Sequence, residues 1–182
     1  MPEAASLYDH DVFVRGLPPE QVLRPGSIDE LVAGLRDAAA RGLAVVPRGG
    51  GMSYTGGYVA NRSGVMLVDM TAMDRVLDID PVNMTVTVEA GCTWAGLYAE
   101  LHPLGLRAPL WGTLSGVRAT VGGGAGQNGT FWGARNGTIA GSVLGYTVVL
   151  ADGSVLVVEI ARGTLSRVTP DGRIHVVADL DR

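Results

Sequence analysis

The sequence predicts an α+β fold, in which a small lobe with parallel strands is followed by hairpins of antiparallel strands. A helical pattern at residues 28–41 precedes two short apolar strands that a glycine-rich loop separates, an order typical of parallel pairing. Later stretches alternate in hydrophobicity around turn residues, as hairpins do. The 27 glycines are not periodic but concentrate at 49–57, 122–129 and 133–145, so their excess belongs to particular loops.

Length and charge narrow the possible functions. With 182 residues, 47% of them hydrophobic, the chain can form one domain or two small lobes around a packed core. Its formal net charge is −4 and no cluster of Lys or Arg stands out. We therefore expect no nucleic acid among its partners.

Cysteine and histidine usage argues against structural cross-links. Cys92 is the only cysteine, which excludes an internal disulfide and a cysteine-only metal site. The three histidines are far apart and lack ligand spacing, so we expect no metal. The N-terminal residues do not have the pattern of a signal peptide, and no apolar run reaches membrane-spanning length. The expected location is cytoplasmic, with no membrane span.

The elements of the first lobe have clear boundaries. Ser27 is a helix-capping residue with Glu30 three positions later, and Gly42 follows the helical pattern. A short buried strand follows at 43–47, and a second strand is predicted at 64–70. The loop between them contains the first glycine cluster.

The remaining elements are mostly hairpins. Strands at 75–80 and 84–91 flank one turn, and residues 93–105 form a helix that Thr93 would cap. Residues 142–159 form a hairpin around Asp152-Gly153, and the tail forms another around Pro170-Asp171-Gly172. Residues 109–142 have little periodicity, and so long an irregular stretch inside a compact domain is usually functional.

The segment VVPRGGGMSYTGG, residues 45–57, is typical of an anion-binding loop. Glycines let a ligand approach the backbone closely, and successive N–H groups can converge on an anion. Ser53 adds a hydroxyl and Arg48 a charge. The alternative is a tight connection after a strand, which needs one glycine rather than three.

The second cluster imitates a dinucleotide fingerprint. Its letters GAGQNG, with Gly124, Gly126 and Gly129, match G-x-G-x-x-G. That motif requires a preceding strand and a helix that begins within it, and the following TFWGARNGTIAG does not read as a helix. We interpret the match as accidental. Two glycine-rich segments about seventy residues apart suit an elongated ligand, such as a dinucleotide, between two lobes.

Four motifs in order carry a family resemblance: P-R-G-G-G-x-S at 47–53, V-x-V-E-A-G-x-x-W-x-x-L at 86–97, A-T-V-G-G…N-G at 119–129 and V-L-G-x-x-V-V-L-A-D-G at 143–153. Residues 20–158 resemble the FAD-binding (PCMH-type) domain of the vanillyl-alcohol-oxidase superfamily of FAD-linked oxidases. The resemblance implies a two-lobed FAD-binding domain, with a small mainly parallel α/β lobe and a larger mainly antiparallel lobe. The implied boundaries are 1–160, with lobes at about 1–72 and 73–160, and a tail hairpin of uncertain origin at 161–182.

The resemblance also implies which residues contact the cofactor. The first glycine segment would hold the pyrophosphate, the second would hold the rest of the diphosphate and flank the flavin, and two later residues would meet the adenine. These implied contacts are Arg48, Gly49, Gly50, Gly51, Met52, Ser53, Ser115, Thr120, Gly122, Gly123, Gly126, Gln127, Asn128, Ala140 and Val143.

The mode of attachment follows from the same resemblance. Relatives with a histidyl-flavin bond often carry His where this chain has Met52, and the cysteinyl linkage would fall near Arg118. Cys92 lies elsewhere in the pattern and is expected to be a small buried residue. We therefore expect FAD to be bound non-covalently.

The implied activity is that of a flavin-dependent oxidase or dehydrogenase of hydroxy acids, alcohols or similar small substrates. In the superfamily the substrate lobe normally follows the flavin domain, so the resemblance implies that the chain is truncated before it. No residue is recognisable as the catalytic base. The substrate would be bound with the help of a missing C-terminal domain or a partner chain, and the alternative is an FAD-binding module without turnover of its own.

Overall fold

The structure is a computed structural model that describes residues 7–112, 116–130, 133–159, 164–169 and 173–179. It confirms the α+β class, since a parallel sheet and two antiparallel sheets occur with few helices. The regular elements in chain order are β1 Gln21–Leu23, α1 Ile28–Ala40, β2 Ala44–Arg48, β3 Val65–Asp69, β4 Val76–Asp80, β5 Thr85–Val88, α2 Trp94–Leu101, α3 Val121–Gly126, β6 Gly145–Val149, β7 Val155–Glu159, β8 Thr164–Val168 and β9 Ile174–Asp179.

The first lobe is a parallel sheet with strand order β1-β3-β2, covered on one face by α1. Every residue of β3 is buried, as expected for the central strand of a covered parallel sheet. Leu35 and Ala38 of α1 pack with Met66 and Val68 of β3 in one core cluster. The predicted strands and their parallel pairing are confirmed, whereas β1, only three residues long, was not predicted.

The capping residues of α1 explain where it starts and stops. The Ser27 hydroxyl accepts a hydrogen bond from the Glu30 N–H at 3.2 Å, as predicted. The Glu30 carboxylate accepts from Gly26 N–H instead of completing a capping box with Ser27. Gly42 follows the helix with φ of +67°, a conformation that glycine adopts without strain.

The second lobe has its own core around α2 and the β4–β5 hairpin. The predicted hairpin and the predicted Thr93 cap are both present. The buried members of this core are Cys92, Trp94, Leu97, Leu101, Leu110, Ala119 and Ile139.

The last four strands form one antiparallel sheet in the order β6-β7-β8-β9. Both predicted hairpins exist, and β7 also pairs with β8, so the tail hairpin extends the sheet of the hairpin before it. The turn predicted at 170–172 lies outside the described residues. Within the described part of the chain, no helix has the length and apolar character needed to cross a bilayer.

The stretch 109–142 contains a helix that its composition did not predict. α3 has the sequence VGGGAG and is capped by Thr120, whose hydroxyl accepts from Gly123 N–H at 3.1 Å. The helix ends at Gly126 instead of beginning within the GAGQNG letters, which confirms that these letters are not a Rossmann fingerprint.

Candidate functional site

The three consecutive glycines let the two glycine-rich segments meet. A Cβ on Gly49 would overlap the Thr120 hydroxyl, and one on Gly50 would overlap the carbonyl oxygen of Arg118. Gly51 has φ of +73°, and its Cβ would overlap the Arg48 guanidinium. Each glycine is therefore required by close approach or by backbone conformation. The loop 49–57 lies directly against residues 118–120.

Arg48 is a buried anchor at the base of this loop. Its side chain and that of Asp69 are only 6% and 5% exposed, and Arg48 Nη1 lies 3.5 Å from Asp69 Oδ2. The rings of Tyr8 and Tyr58 each lie 5.1 Å from the guanidinium carbon, within the range of cation–π attraction. The Arg48 guanidinium therefore interacts with protein groups, and these interactions stabilise the loop.

Asp69, the partner of Arg48, stays ionised at neutral pH. Its carboxylate accepts hydrogen bonds from the Thr71 hydroxyl at 2.6 Å and the Tyr8 hydroxyl at 2.9 Å. Burial alone would raise the pKa of Asp69, but the bonds from Thr71 and Tyr8 and the charge of Arg48 outweigh it, and the pKa is lowered.

The loop is held by its carbonyl groups. Arg48 Nη1 donates to Gly49 O and the Tyr58 hydroxyl to Gly51 O, both at 3.3 Å. In a trans peptide the C=O of one residue and the N–H of the next point in opposite directions. The N–H groups of Gly50 and Met52 are therefore turned away from Arg48 and Tyr58.

Among the described residues, five successive N–H groups of the loop have no hydrogen-bond partner. Within the described residues, no protein oxygen accepts a hydrogen bond from the backbone N–H of residues 49–53. Ser53 Oγ accepts from the N–H of Thr55 at 3.2 Å and of Gly57 at 3.4 Å, which shapes the next turn. Met52 packs against the second core. The loop presents a row of free donors, the arrangement that binds an anionic group.

The second glycine segment uses its N–H groups internally. Gly122 N–H donates to Ala90 O at 2.9 Å, and Gly123 N–H donates to the cap Thr120. A Cβ on Gly122 would overlap Ala90, so this glycine serves close packing. Asn128 has φ of +47°, and its side-chain oxygen accepts from Ala140 N–H at 3.3 Å.

For two glycines in this region, neither close packing nor backbone conformation explains why the residue is glycine. A Cβ on Gly126 or Gly141 would have nothing within 4 Å, and neither residue has positive φ. Gly126 lies in a helix, where glycine is less stable than alanine by up to about 1 kcal/mol. Both faces are open for a ligand that approaches the backbone closely.

A cleft of about 310 Å³ lies beside the first loop. The first lobe contributes Arg24, Arg48, Asp69 and Thr71, at or just after the carboxyl ends of the parallel strands, where open α/β sheets bind ligands. The second lobe contributes Thr93, Val117 and Arg118. A larger depression of about 570 Å³, between residues 14–17 and 55–61, contains none of the predicted cofactor residues.

Cys92 is a core residue, as predicted. It is 1% exposed, and burial raises the pKa of its thiol, so it is neither accessible nor reactive.

The structure brings parts of the two predicted segments together. Gly49 lies against Thr120 and Gly50 against Arg118, and the Asn128 side chain accepts a hydrogen bond from Ala140, whereas Ser115 lies outside the described residues. The supporting residues Tyr8, Asp69 and Tyr58 were missed by sequence reasoning, since each is distant in sequence from Arg48 or lies in no motif.

This arrangement defines a class of protein. A parallel lobe and an antiparallel lobe meet at a glycine loop whose N–H groups have no acceptor among the described residues, an arrangement that suits an anionic group such as a diphosphate. The family described as "FAD binding domain" matches residues 19–159. The chain therefore belongs to the FAD-binding domain family of the FAD-linked oxidases, within the vanillyl-alcohol-oxidase superfamily.

The curated relatives are named as dehydrogenases and oxidases. The probable mitochondrial D-2-hydroxyglutarate dehydrogenase of Oryza sativa is 38% identical over 136 residues, 74% of this chain and 24% of the relative. The L-gulonolactone oxidase of Mus musculus is 34% identical over 161 residues, 88% of this chain and 35% of the relative. The chain thus spans about a quarter to a third of the length of these relatives.

Solved structures agree with the family. A variant of BBE-like 1 from Physcomitrella patens matches with a TM-score of 0.73 at 26% identity. The match covers 86% of this chain and 34% of the BBE-like 1 chain. The xylooligosaccharide oxidase of Myceliophthora thermophila, solved with xylobiose, has a TM-score of 0.72 at 27% identity and covers 86% of this chain and 33% of its own.

Proposed function

We propose that the chain binds FAD non-covalently, with its diphosphate on the loop 49–53, as the flavin domain of an oxidoreductase. The observation that carries this proposal is the row of N–H groups at 49–53 for which no described residue supplies an acceptor. Their orientation is set by anchored carbonyls, so an anion would find donors already aligned. The residues present therefore fit the cofactor that the family implies.

The second segment would contact FAD differently from the first. Because the N–H groups of Gly122 and Gly123 have protein acceptors, these glycines would contribute close approach of the chain rather than donors. Gly126 offers an open backbone face, and Gln127 and Asn128 offer exposed side chains. We also assign Ser115, Thr120, Ala140 and Val143 to this half of the site.

Non-covalent attachment is supported by the side chains at the two linkage positions. Met52 and Arg118 provide neither an imidazole nor a thiol, and the thiol of Cys92 is buried in the second core. FAD should therefore be released by denaturation. A fluorescent flavin band that persists on a denaturing gel would contradict this proposal.

When bound, FAD supplies two-electron oxidation chemistry, and the protein supplies binding and orientation. The relatives named as a hydroxyglutarate dehydrogenase, a gulonolactone oxidase and a glycolate oxidase subunit support hydroxy acids, alcohols or similar small molecules as substrates. We assign no catalytic base to this chain.

A ligand series tests the proposed site. The purified chain is titrated with FAD, with ADP and with FMN, which lacks the diphosphate, and flavin fluorescence or heat of binding is recorded. We expect FAD to bind, ADP to compete with it, and FMN to bind much more weakly. Equal affinity for FAD and FMN would show that the diphosphate is not the group recognised.

The alternative is a binding module that needs a further domain or a partner chain for turnover. A chain loaded with FAD whose visible absorbance is not bleached by a panel of hydroxy acids and alcohols would support this alternative. The cytoplasmic location stays a prediction.

A further inference from the structure

Residues 8–17 precede the family match, which begins at residue 19, and form a compact turn of their own. Asp11 N–H donates to Val14 O at 2.9 Å, and Gly16 N–H donates to Asp9 O at 2.7 Å. His10 and Arg15 form an antiparallel bridge. We call residues 8–17 the N-terminal strap.

The strap forms hydrogen bonds with the glycine loop at several positions. Gly56 N–H donates to Asp11 Oδ2 at 2.6 Å, and Val12 N–H donates to Ser53 O at 3.3 Å. The Tyr58 hydroxyl, which also reaches Gly51 O, lies 2.9 Å from His10 O.

Further contacts lie at the two ends of the strap. Tyr8 covers the Arg48 guanidinium and donates to Asp69. Leu17 N–H donates to Ala60 O at 2.8 Å, beyond the loop. The strap therefore contacts the protein both before residues 49–53, at Arg48, and after them, at Ala60.

The two carboxylate oxygens of Asp11 have different partners, one in the strap and the other in the loop. Its Oδ1 accepts from the N–H groups of Phe13 and Val14, which closes the strap's own turn. Its Oδ2 accepts from Gly56 N–H, which connects the carboxylate to the loop. The residue is only 6% exposed, so these bonds form in a place that excludes most water.

The loop needs such support because residues 49–64 join two parallel strands without a helix or strand of their own. Ordering each backbone residue costs about 1–2 kcal/mol, and a binding loop that is ordered in advance does not incur this cost when the ligand arrives. If only a fraction of molecules has the loop in place, the apparent affinity falls by that fraction.

We propose that the N-terminal strap pre-organises the cofactor-binding loop, with Asp11 as the positioning residue that connects them. As a statement about FAD affinity, the proposal rests on the proposed function, since it assumes that FAD binds at 49–53. As a statement about loop order, it holds for the protein without FAD and is tested separately.

The Asp11→Asn variant separates the two roles of the carboxylate. The remaining Oδ1 can still accept from Phe13 and Val14, while the side-chain amide replaces the oxygen that accepts from Gly56. Asp80→Asn is the matched control, because Asp80 closes a similar turn through Val82 and Asn83 in the exposed β4–β5 hairpin. Tyr58→Phe is a milder second variant that removes the hydroxyl shared by His10 O and Gly51 O.

Hydrogen exchange without FAD tests the strap directly. We expect Asp11→Asn to exchange faster than the wild type in peptides covering 49–60, with α1 and α2 unchanged, and Tyr58→Phe to show a smaller change in the same direction. Asp80→Asn should leave 49–60 unaffected. Unchanged exchange of 49–60 in both strap variants would overturn the proposal, whether or not FAD binds.

Stopped-flow measurement of FAD binding tests the consequence. We expect affinity to fall about tenfold in Asp11→Asn, the effect of one lost hydrogen bond to a charged group, mostly through slower association. A loss confined to faster dissociation would contradict pre-organisation, because it would indicate a direct contact with the ligand. If the wild type binds no FAD, the proposed function fails, and the exchange result still decides the proposal about the strap.

Discussion

The two glycine-rich segments have similar compositions but differ in how their backbone N–H groups are hydrogen-bonded. In the first, the N–H groups of residues 49–53 have no acceptor in the described part of the chain, while the carbonyls of Gly49 and Gly51 accept hydrogen bonds from Arg48 and Tyr58. In the second, Gly122 and Gly123 donate within the protein, and α3 uses the rest of its length for helical bonds. Composition therefore identifies glycine-rich loops, but only the hydrogen-bond partners distinguish a binding loop from a packing loop.

Removal of the buried anchor should affect the first segment most. Arg48→Met deletes the partner of Asp69 and the donor to Gly49 O. We expect the free energy of unfolding to fall by about 3–5 kcal/mol, as when one partner of a buried ion pair is lost, and FAD affinity to fall as well. Urea denaturation measures the first effect.

Arg41→Met is the control for this change. Arg41 pairs with Glu20 and Asp37 on the surface, so its loss should cost at most about 1 kcal/mol. Equal losses of stability in the two variants would contradict the anchoring role of Arg48.

Disruption of the contact between the two segments should lower stability less than the loss of Arg48 does. In Gly50→Ala the new methyl group would overlap the backbone oxygen of Arg118, which cannot move aside as a side chain could. We expect a loss of about 1–3 kcal/mol from overpacking, together with a loss of FAD binding. Thermal unfolding and FAD titration measure both, and a Gly50→Ala protein that binds FAD normally would show that the segments need not touch.

Gly126→Ala should separate stability from binding in the second segment. The added methyl group meets open space in a helix, so stability should stay the same or rise by up to about 1 kcal/mol. FAD affinity should nevertheless fall if this face approaches the cofactor. Gly26→Ala, which adds a methyl group before α1 without a close contact, is the control for binding. Unchanged FAD affinity in Gly126→Ala would show that the open face of Gly126 does not contact FAD.

Acidification should weaken the support of the first segment. Asp11 and Asp69 both have a lowered pKa: burial opposes this, but N–H and hydroxyl donors outweigh burial at both sites, aided at Asp69 by Arg48. The unfolded value is about 3.9, so their contribution to stability is complete above about pH 4 and is lost as the pH falls through the folded pKa values. Urea midpoints from pH 7 to pH 3 measure this, and Asp69→Asn should flatten the low-pH part. A wild-type stability that stays constant down to pH 3 would contradict it.

Local patterns in the sequence predicted much of the fold. The Ser27 and Thr93 caps, the Gly42 stop and the turn at Asp152-Gly153 are set by neighbouring residues, and all four are present. The β7–β8 pairing was not predictable in this way because it joins two hairpins whose separate patterns are already complete. α3 was hidden by the low helical propensity of its glycines.

The same limit applies to the site. Three glycines before Ser53 predicted a loop for an anion, and its N–H groups are indeed without partners in the described structure. The groups that hold the loop are remote in sequence: Tyr8 and Asp69 are 61 positions apart, and Asp11 and Gly56 are 45 apart. Contacts over such distances have no local signal, so one sequence indicates the binding loop but not its supports.

We propose that the N–H groups of residues 49–53, rather than those of the second segment, receive the diphosphate of FAD. Amide-resolved NMR of the labelled chain, with and without FAD, tests it most directly. We predict slower hydrogen exchange and large shifts for the amides of 49–53, and no new protection for those of Gly122 and Gly123. Protection of the second segment, with residues 49–53 unchanged, would contradict the account.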